Sequence, residues 1–296
     1  MLPVLLLAFI SSVAAFPLFS RRQSITALSA AQVSTFTPYT YYASTAYCEP
    51  AETLTWSCGA NCQSNAGFQP VASGGDGEVI QFWYVGFDPT LKTIIVAHQG
   101  TDTSKFIPLL TISDIFYDNL DHALFPGISS AVKVHKGFGA AQARAAPEIL
   151  TAVRKAMDKF SSKSVTLVGH SLGGAIALID AVFLKLHLPK DIELKTFTYG
   201  MPRVGNQYFA DYVDKNIPNV VRITNKMDPV PIMPGRFLGF RHAGGEIHIT
   251  DDNGTWNKCP GQDNTAAGCT VEDVRNILIA NKDDHAGPYN GVRIRC

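Results

Sequence analysis

Residues 165–174 read Val-Thr-Leu-Val-Gly-His-Ser-Leu-Gly-Gly, and no other stretch limits the possible folds as sharply. Val165, Thr166, Leu167 and Val168 are apolar or β-branched and suit a buried strand. Gly169, Ser171 and Gly173 form G-x-S-x-G. The apolar run Ala175, Ile176, Ala177, Leu178 and Ile179 continues as a helix. Strand, sharp turn and helix in that order predict a nucleophile elbow, with Ser171 in a strained backbone conformation and its hydroxyl projecting from the strand end. Side chains at 169 and 173 would collide with neighbouring backbone there, which is why both positions are glycine. The helix start behind the serine leaves amide N–H groups free to face negative charge.

The rest of the chain repeats this alternation. Strands are expected at Glu78–Gly86, Thr93–Ala97, Val132–His135, Leu194–Tyr199, Val220–Thr224 and Glu246–Thr250. Helices are expected over Thr26–Ala46, Ala140–Lys159, Asn206–Asn216 and Val271–Ala280, with Pro147 marking the start of the second. Asp88-Pro89-Thr90 makes a turn. Strands alternating with helices imply an α/β domain with a mostly parallel central sheet and helices on both faces. Chemistry then gathers beyond the carboxyl ends of the strands.

The 296 residues suffice for one large domain, expected over 23–296, and 46% hydrophobic content supports a full core. Lys+Arg and Asp+Glu are each 25, so no basic field exists to attract nucleic acid. Leu2–Ile10 is apolar and Ser11-Ser12-Val13-Ala14-Ala15 is small-residue, the pattern of a signal peptide cut after Ala15. Arg21-Arg22 reads as a dibasic processing site or as two exposed arginines, the first making 16–22 a pro-segment. In an oxidising compartment Cys48, Cys58, Cys62, Cys259, Cys269 and Cys296 are expected to pair, although spacing alone does not choose among the connectivities. No Cys or His spacing suits a metal, so no metal or cofactor is expected. Asn253-Gly254-Thr255 is a glycosylation sequon.

A serine hydroxyl needs a base, and the base needs a carboxylate to fix its tautomer. Enzymes built on such an elbow carry serine, acid and histidine in that chain order. Asp228 follows the Val220–Thr224 strand, and Pro229-Val230-Pro231 stiffens its loop. Of the downstream histidines, His248 lies inside a strand and His242 in a loop, whereas His285 occupies a terminal loop able to reach the strand ends. His285 is therefore the expected base, with His242 in reserve. An oxyanion hole would draw on the Leu172 N–H and on Thr101 in Gly100-Thr101-Asp102-Thr103-Ser104. Beside it, Lys105, Phe106, Ile107, Pro108, Leu109 and Leu110 read as an apolar lid rather than plain core.

Taken together, Gly100–Ser104, Val134-His135-Lys136-Gly137-Phe138, Gly169–Gly174, Tyr199-Gly200-Met201-Pro202-Arg203-Val204-Gly205-Asn206 and Asp228–Pro231 resemble the secreted fungal class 3 lipases, a family that includes some feruloyl esterases. The resemblance runs from about Ala46 to Cys296 and implies an α/β-hydrolase fold with a lid after Ser104. It also implies a Ser171–Asp228–His285 triad, Thr101 and Leu172 at the oxyanion hole, and bridges Cys48–Cys296, Cys58–Cys62 and Cys259–Cys269. The chain departs from the family pattern at His98-Gln99, where an aromatic-Arg pair is common, at Pro108 in the lid, and at Pro288-Tyr289. These departures bear on substrate preference.

The expectation is thus a secreted, monomeric serine carboxylic-ester hydrolase, a lipase acting on acylglycerols at a lipid–water interface without stable membrane insertion. The competing readings are a feruloyl or broad carboxylesterase, a non-catalytic lipid- or glycan-binding relative, and a secreted peptidase.

Overall fold

A computed structural model describes residues 24–101, 116–250 and 254–296. The expected signal and pro-segments, the lid Lys105–Leu110 and Asn253 lie outside the described residues. In chain order the first strands are β1 (Thr26–Ala27), β2 (Gln69–Gly74), β3 (Trp83–Asp88), β4 (Thr93–His98), β5 (Tyr117–Asn119), β6 (Lys133–His135) and β7 (Ser164–His170). They are followed by β8 (Glu193–Tyr199), β9 (Gly205–Asn206), β10 (Val220–Asn225), β11 (Phe240–Arg241), β12 (Glu246–Ile249) and β13 (Trp256–Cys259).

The large sheet has the order β1-β13-β12-β10-β8-β7-β4-β3-β2. Its middle, β12-β10-β8-β7-β4, is parallel throughout. Antiparallel pairs extend it at both sides, β3 and β2 beyond β4, and β13 and β1 beyond β12. A small sheet, β11-β9-β6-β5, sits apart.

The central strands are apolar on both faces because both are covered. In β4, Ile94 and Val96 join a core cluster with the helices Lys136–Phe160, Leu172–His187 and Gln207–Asn216. Ile95 and Ala97 point the other way, into a second cluster with Tyr42, Ala43 and Ala46 of the helix Thr37–Thr45. Three bridges, Cys48–Cys296, Cys58–Cys62 and Cys259–Cys269, have Cα–Cα separations of 5.0, 5.2 and 5.9 Å. The first ties the N-terminal helical region to the last residue.

Four local expectations need correction. Thr26–Ala46 is not one helix: Thr26–Ala27 pairs with β13, and two helices, Ala30–Ser34 and Thr37–Thr45, follow. Ser29 caps the first in a capping box with Gln32, and Pro38 in the first turn starts the second. The strand expected at Glu78 begins at Trp83, because Asp76 Oδ1 accepts the N–H groups of Glu78, Val79 and Ile80 and folds that stretch into a loop. Pro147 does not start its helix, which runs unbroken over Lys136–Phe160. It sits on the exposed side of that helix. The closing helix shrinks to Thr270–Asp273. Asp273 turns its carboxylate onto the Gly268 N–H and His248, Asn276 bonds the Leu278 N–H, and Ile277, Leu278 and Ile279 stay exposed.

Candidate active site

Ser171 sits between β7 and the helix Leu172–His187, at φ 57° and ψ −128°. This left-handed strain is held by packing that only glycine permits. A Cβ on Gly169 would lie 2.1 Å from the Gly173 carbonyl oxygen, and one on Gly173 would lie 2.2 Å from the His98 carbonyl oxygen. Ser171 stands at the N-cap position but makes no side-chain cap, so its hydroxyl is not spent on the helix. Its N–H donates to the Tyr199 carbonyl at 2.9 Å, which fixes the elbow to the end of β8.

Asp228 and His285 come together from segments laced to each other. Asn225 Nδ2 donates to the Asp284 carbonyl, the Met227 N–H to Asp284 Oδ2, and the Asn281 N–H to the Met227 carbonyl. His285 Nδ1 then lies 2.9 Å from Asp228 Oδ2, and the Val230 N–H donates to Asp228 Oδ1 at 2.9 Å. The carboxylate accepts both bonds, so His285 Nδ1 is the donor in this pair, which orients the ring.

Backbone contacts bring the elbow and this pair together. A Cβ on Gly200, the residue after Tyr199, would stand 2.9 Å from Asp228 Oδ2 and 3.0 Å from His285 Cε1. The His170 and His285 rings are 4.4 Å apart between centroids. Ser171, Asp228 and His285 are exposed by 0%, 1% and 0%. No hydrogen bond joins Ser171 Oγ to His285 Nε2; both atoms are buried without a hydrogen-bond partner among the described residues. Each such orphan costs about 1–3 kcal/mol, which a purely structural site would not keep.

Leu172 follows the serine in sequence, and the Gly100 backbone that leads into Thr101 runs beside it. Leu172 is the first residue of the helix, where N–H groups have no intrahelical acceptor. A Cβ on Gly100, just before Thr101, would stand 3.1 Å from Ser171 Cβ and 2.6 Å from the His170 carbonyl oxygen. The other histidines are engaged elsewhere. His242 Nε2 donates to the Pro231 carbonyl, and burial beside Arg222 and Arg203 pushes its pKa well below the usual imidazole range. His248 meets Thr224 and Thr270 through Nδ1 and Asp273 through Nε2.

A family model described as Lipase (class 3) matches residues 95–238. The secreted mono- and diacylglycerol lipase LIP4 of Malassezia restricta is 35% identical over 219 residues, covering 73% of this chain and 70% of the relative. The secreted mono- and diacylglycerol lipase MDL4 of Malassezia globosa is 30% identical over 305 residues, covering 96% of this chain and 91% of the relative.

The chain belongs to the class 3 lipase family.

Other members match over less: the alignment with LIP2 of Malassezia restricta, at 32% identity, spans 66% of this chain and 61% of the relative. Two solved lipases share the α/β-hydrolase fold. The native Rhizomucor miehei lipase propeptide complex superposes with a TM-score of 0.78 at 26% identity over 92% of this chain and 86% of that one. Lipase II from Rhizopus niveus gives 0.78 at 27% identity over 91% and 98%.

Several side chains around the site carried no signal of their place in the sequence. His170 Nδ1 lies 2.7 Å from the Tyr47 hydroxyl, and His170 Nε2 lies 2.8 Å from the His285 carbonyl oxygen. The Tyr289 hydroxyl donates to the same carbonyl at 3.0 Å. Beneath the elbow, His98 Nε2 approaches Asp180 Oδ2 at 2.8 Å, in a close contact rather than an aligned hydrogen bond. Gln142 Nε2 donates to Asp180 Oδ1 at 2.7 Å. The one signal in sequence was a polar Asp180 inside the apolar helix, paired with the unusual His98.

Proposed function

We propose that this chain is a secreted serine lipase that cleaves acylglycerol esters through an acyl-enzyme. The supporting observation is the buried Asp228–His285 hydrogen bond beside a strained serine, with Ser171 Oγ and His285 Nε2 both left unpartnered. Ser171 Oγ attacks the ester carbonyl while His285 Nε2 takes its proton. Asp228 holds the imidazole and stabilises its charged form. The N–H groups of Leu172 and Thr101 receive the oxyanion. Collapse returns the proton from His285 to the departing glyceride alcohol. Water, activated by the same imidazole, then releases the fatty acid. Hydrogen-bond contact between serine and base tightens when substrate binds, as catalytic geometry commonly does.

The substrate assignment follows the relatives, which are named secreted mono- and diacylglycerol lipases. Along the chain that follows Asp228, Ile232, Met233, Phe237 and Leu238 help line a cavity of about 550 Å³ whose walls also carry Arg203, Arg236 and Arg275. Among the described residues no helix is long and apolar enough to cross a membrane. A monomer working at the lipid surface belongs to the same reading, since every proposed role is assigned within one chain. The lid Lys105–Leu110 and the glycan at Asn253 belong to the same reading.

Emulsified monoolein, diolein and triolein are assayed against soluble methyl ferulate, with Ser171→Ala as the control. Glyceride turnover that disappears in the variant, alongside little ferulate turnover, is expected. Strong ferulate hydrolysis without activation by emulsions would reassign the substrate, and undiminished activity in Ser171→Ala would overturn the mechanism.

A further inference from the structure

The site contains a second imidazole that the proposed chemistry does not use. His170 immediately precedes the nucleophile, is 3% exposed, and stacks obliquely beside the base. Its two nitrogens have fixed roles. A carbonyl oxygen only accepts, so the contact with the His285 carbonyl requires a proton on His170 Nε2. Burial, reinforced by the nearby His285, pushes the His170 pKa well below the usual imidazole range, so the ring is neutral. Nδ1 is then bare and accepts from the Tyr47 hydroxyl at 2.7 Å. The result is a directed chain: Tyr47 O–H to His170 Nδ1, then His170 Nε2–H to the His285 carbonyl, which Tyr289 O–H also meets.

This chain of bonds reaches the nucleophile, the base and the oxyanion loop. Its middle member is covalently joined to Ser171. Its end holds the peptide unit of His285. Its start packs against the oxyanion loop, where a Cβ on Gly100 would stand 2.2 Å from the Tyr47 hydroxyl oxygen. The loop carrying His285 and the elbow carrying Ser171 are 114 positions apart in sequence, from 285 − 171. One imidazole spans the gap between them in space.

We infer that His170, oriented by Tyr47, is a positioning residue that sets the distance between nucleophile and base. The inference rests on the assignment of Ser171 and His285 made above. Neutrality matters because a charged ring at this range would oppose the positive charge that His285 acquires during turnover.

The test uses Tyr47→Phe, His170→Phe and His170→Gln, with kcat and KM on a soluble short-chain nitrophenyl ester. Ser171 labelling rates by a fluorophosphonate, melting temperature, and the downfield proton resonance of His285 Nδ1–H are read in parallel. Tyr47→Phe removes one buried donor and should lower kcat roughly tenfold with KM within about twofold. His170→Phe misplaces the base and should lower kcat about a hundredfold. His170→Gln offers an amide N–H to the His285 carbonyl and should recover much of that loss. Labelling should fall in step with kcat, and the downfield resonance should shift or broaden. Folded Tyr47→Phe and His170→Phe proteins with wild-type kcat and labelling would overturn the inference, as would losses that merely track the unfolded fraction. Activity surviving Ser171→Ala would instead sink the catalytic assignment, so the two failures are distinguishable.

Discussion

Replacing Asp180 should reveal how much a buried polar contact costs when one side is removed. Asp180 and His98 are exposed by 0% and 2%, and Asp180 takes contacts at 2.8 Å from His98 and 2.7 Å from Gln142. Asp180→Leu strands Gln142 Nε2 and leaves His98 Nε2 facing an apolar side chain in a dry core. Removing one partner of a buried pair costs about 3–5 kcal/mol. In a domain of this size each kcal/mol lowers the melting temperature by roughly 2–4 °C, so a fall of about 10 °C or more is expected. The triple variant His98→Phe, Gln142→Leu, Asp180→Leu leaves no orphan and should regain at least half the loss, because well-packed apolar replacements of buried pairs are often neutral. Chemical denaturation with equal m-values across the variants is the assay. A single-variant loss below about 1 kcal/mol, or a triple variant no better than the single, would refute the reasoning.

Other outcomes follow from the site and the bridges. Asp228→Asn should fold normally and lose about four orders of magnitude in kcat, since the amide no longer fixes the imidazole tautomer, as esterase kinetics would show. Gly173→Ala should lose activity and soluble yield, because the added carbon would sit 2.2 Å from the His98 carbonyl oxygen; wild-type turnover would contradict the packing argument. Breaking Cys48–Cys296, separated by 248 positions, should cost about 2–5 kcal/mol and more than breaking Cys58–Cys62, separated by 4. His170 and His242 have folded pKa values well below 6.5, so unfolding takes up protons once the pH drops toward that value. Stability should therefore be full near neutrality and decline below about pH 6.5, by up to about 1.4 kcal/mol per pH unit for each ring, and His242→Gln should flatten the slope measured by denaturant titration.

The elbow was legible because its signal is local. Gly169, Ser171 and Gly173 carry their own steric reason, and the Val165–Val168 run needs no distant partner to read as a strand. Asp228 was legible for a similar reason, standing at a strand end before stiffening prolines. The Val271–Ala280 helix misled because Asp273 and Asn276 bond locally and leave Ile277, Leu278 and Ile279 in water. Pro147 misled in the opposite direction, since the helix runs on through a proline that sits on its exposed side. β2 went unread because Gln69–Gly74 has neither alternation nor bulk, and its pairing comes from β3. Tyr47 and His170 were beyond sequence reasoning altogether, because their partners lie 123 and 115 positions apart.

The sealing of Ser171 and His285 reaches into pharmacology. Since Ser171 and His285 are both buried, an electrophile aimed at the serine is expected to react only from a conformation that uncovers it. Rates for a series of graded warheads should level off at one common ceiling, and an amphiphile that props the molecule ajar would raise that ceiling for all of them alike.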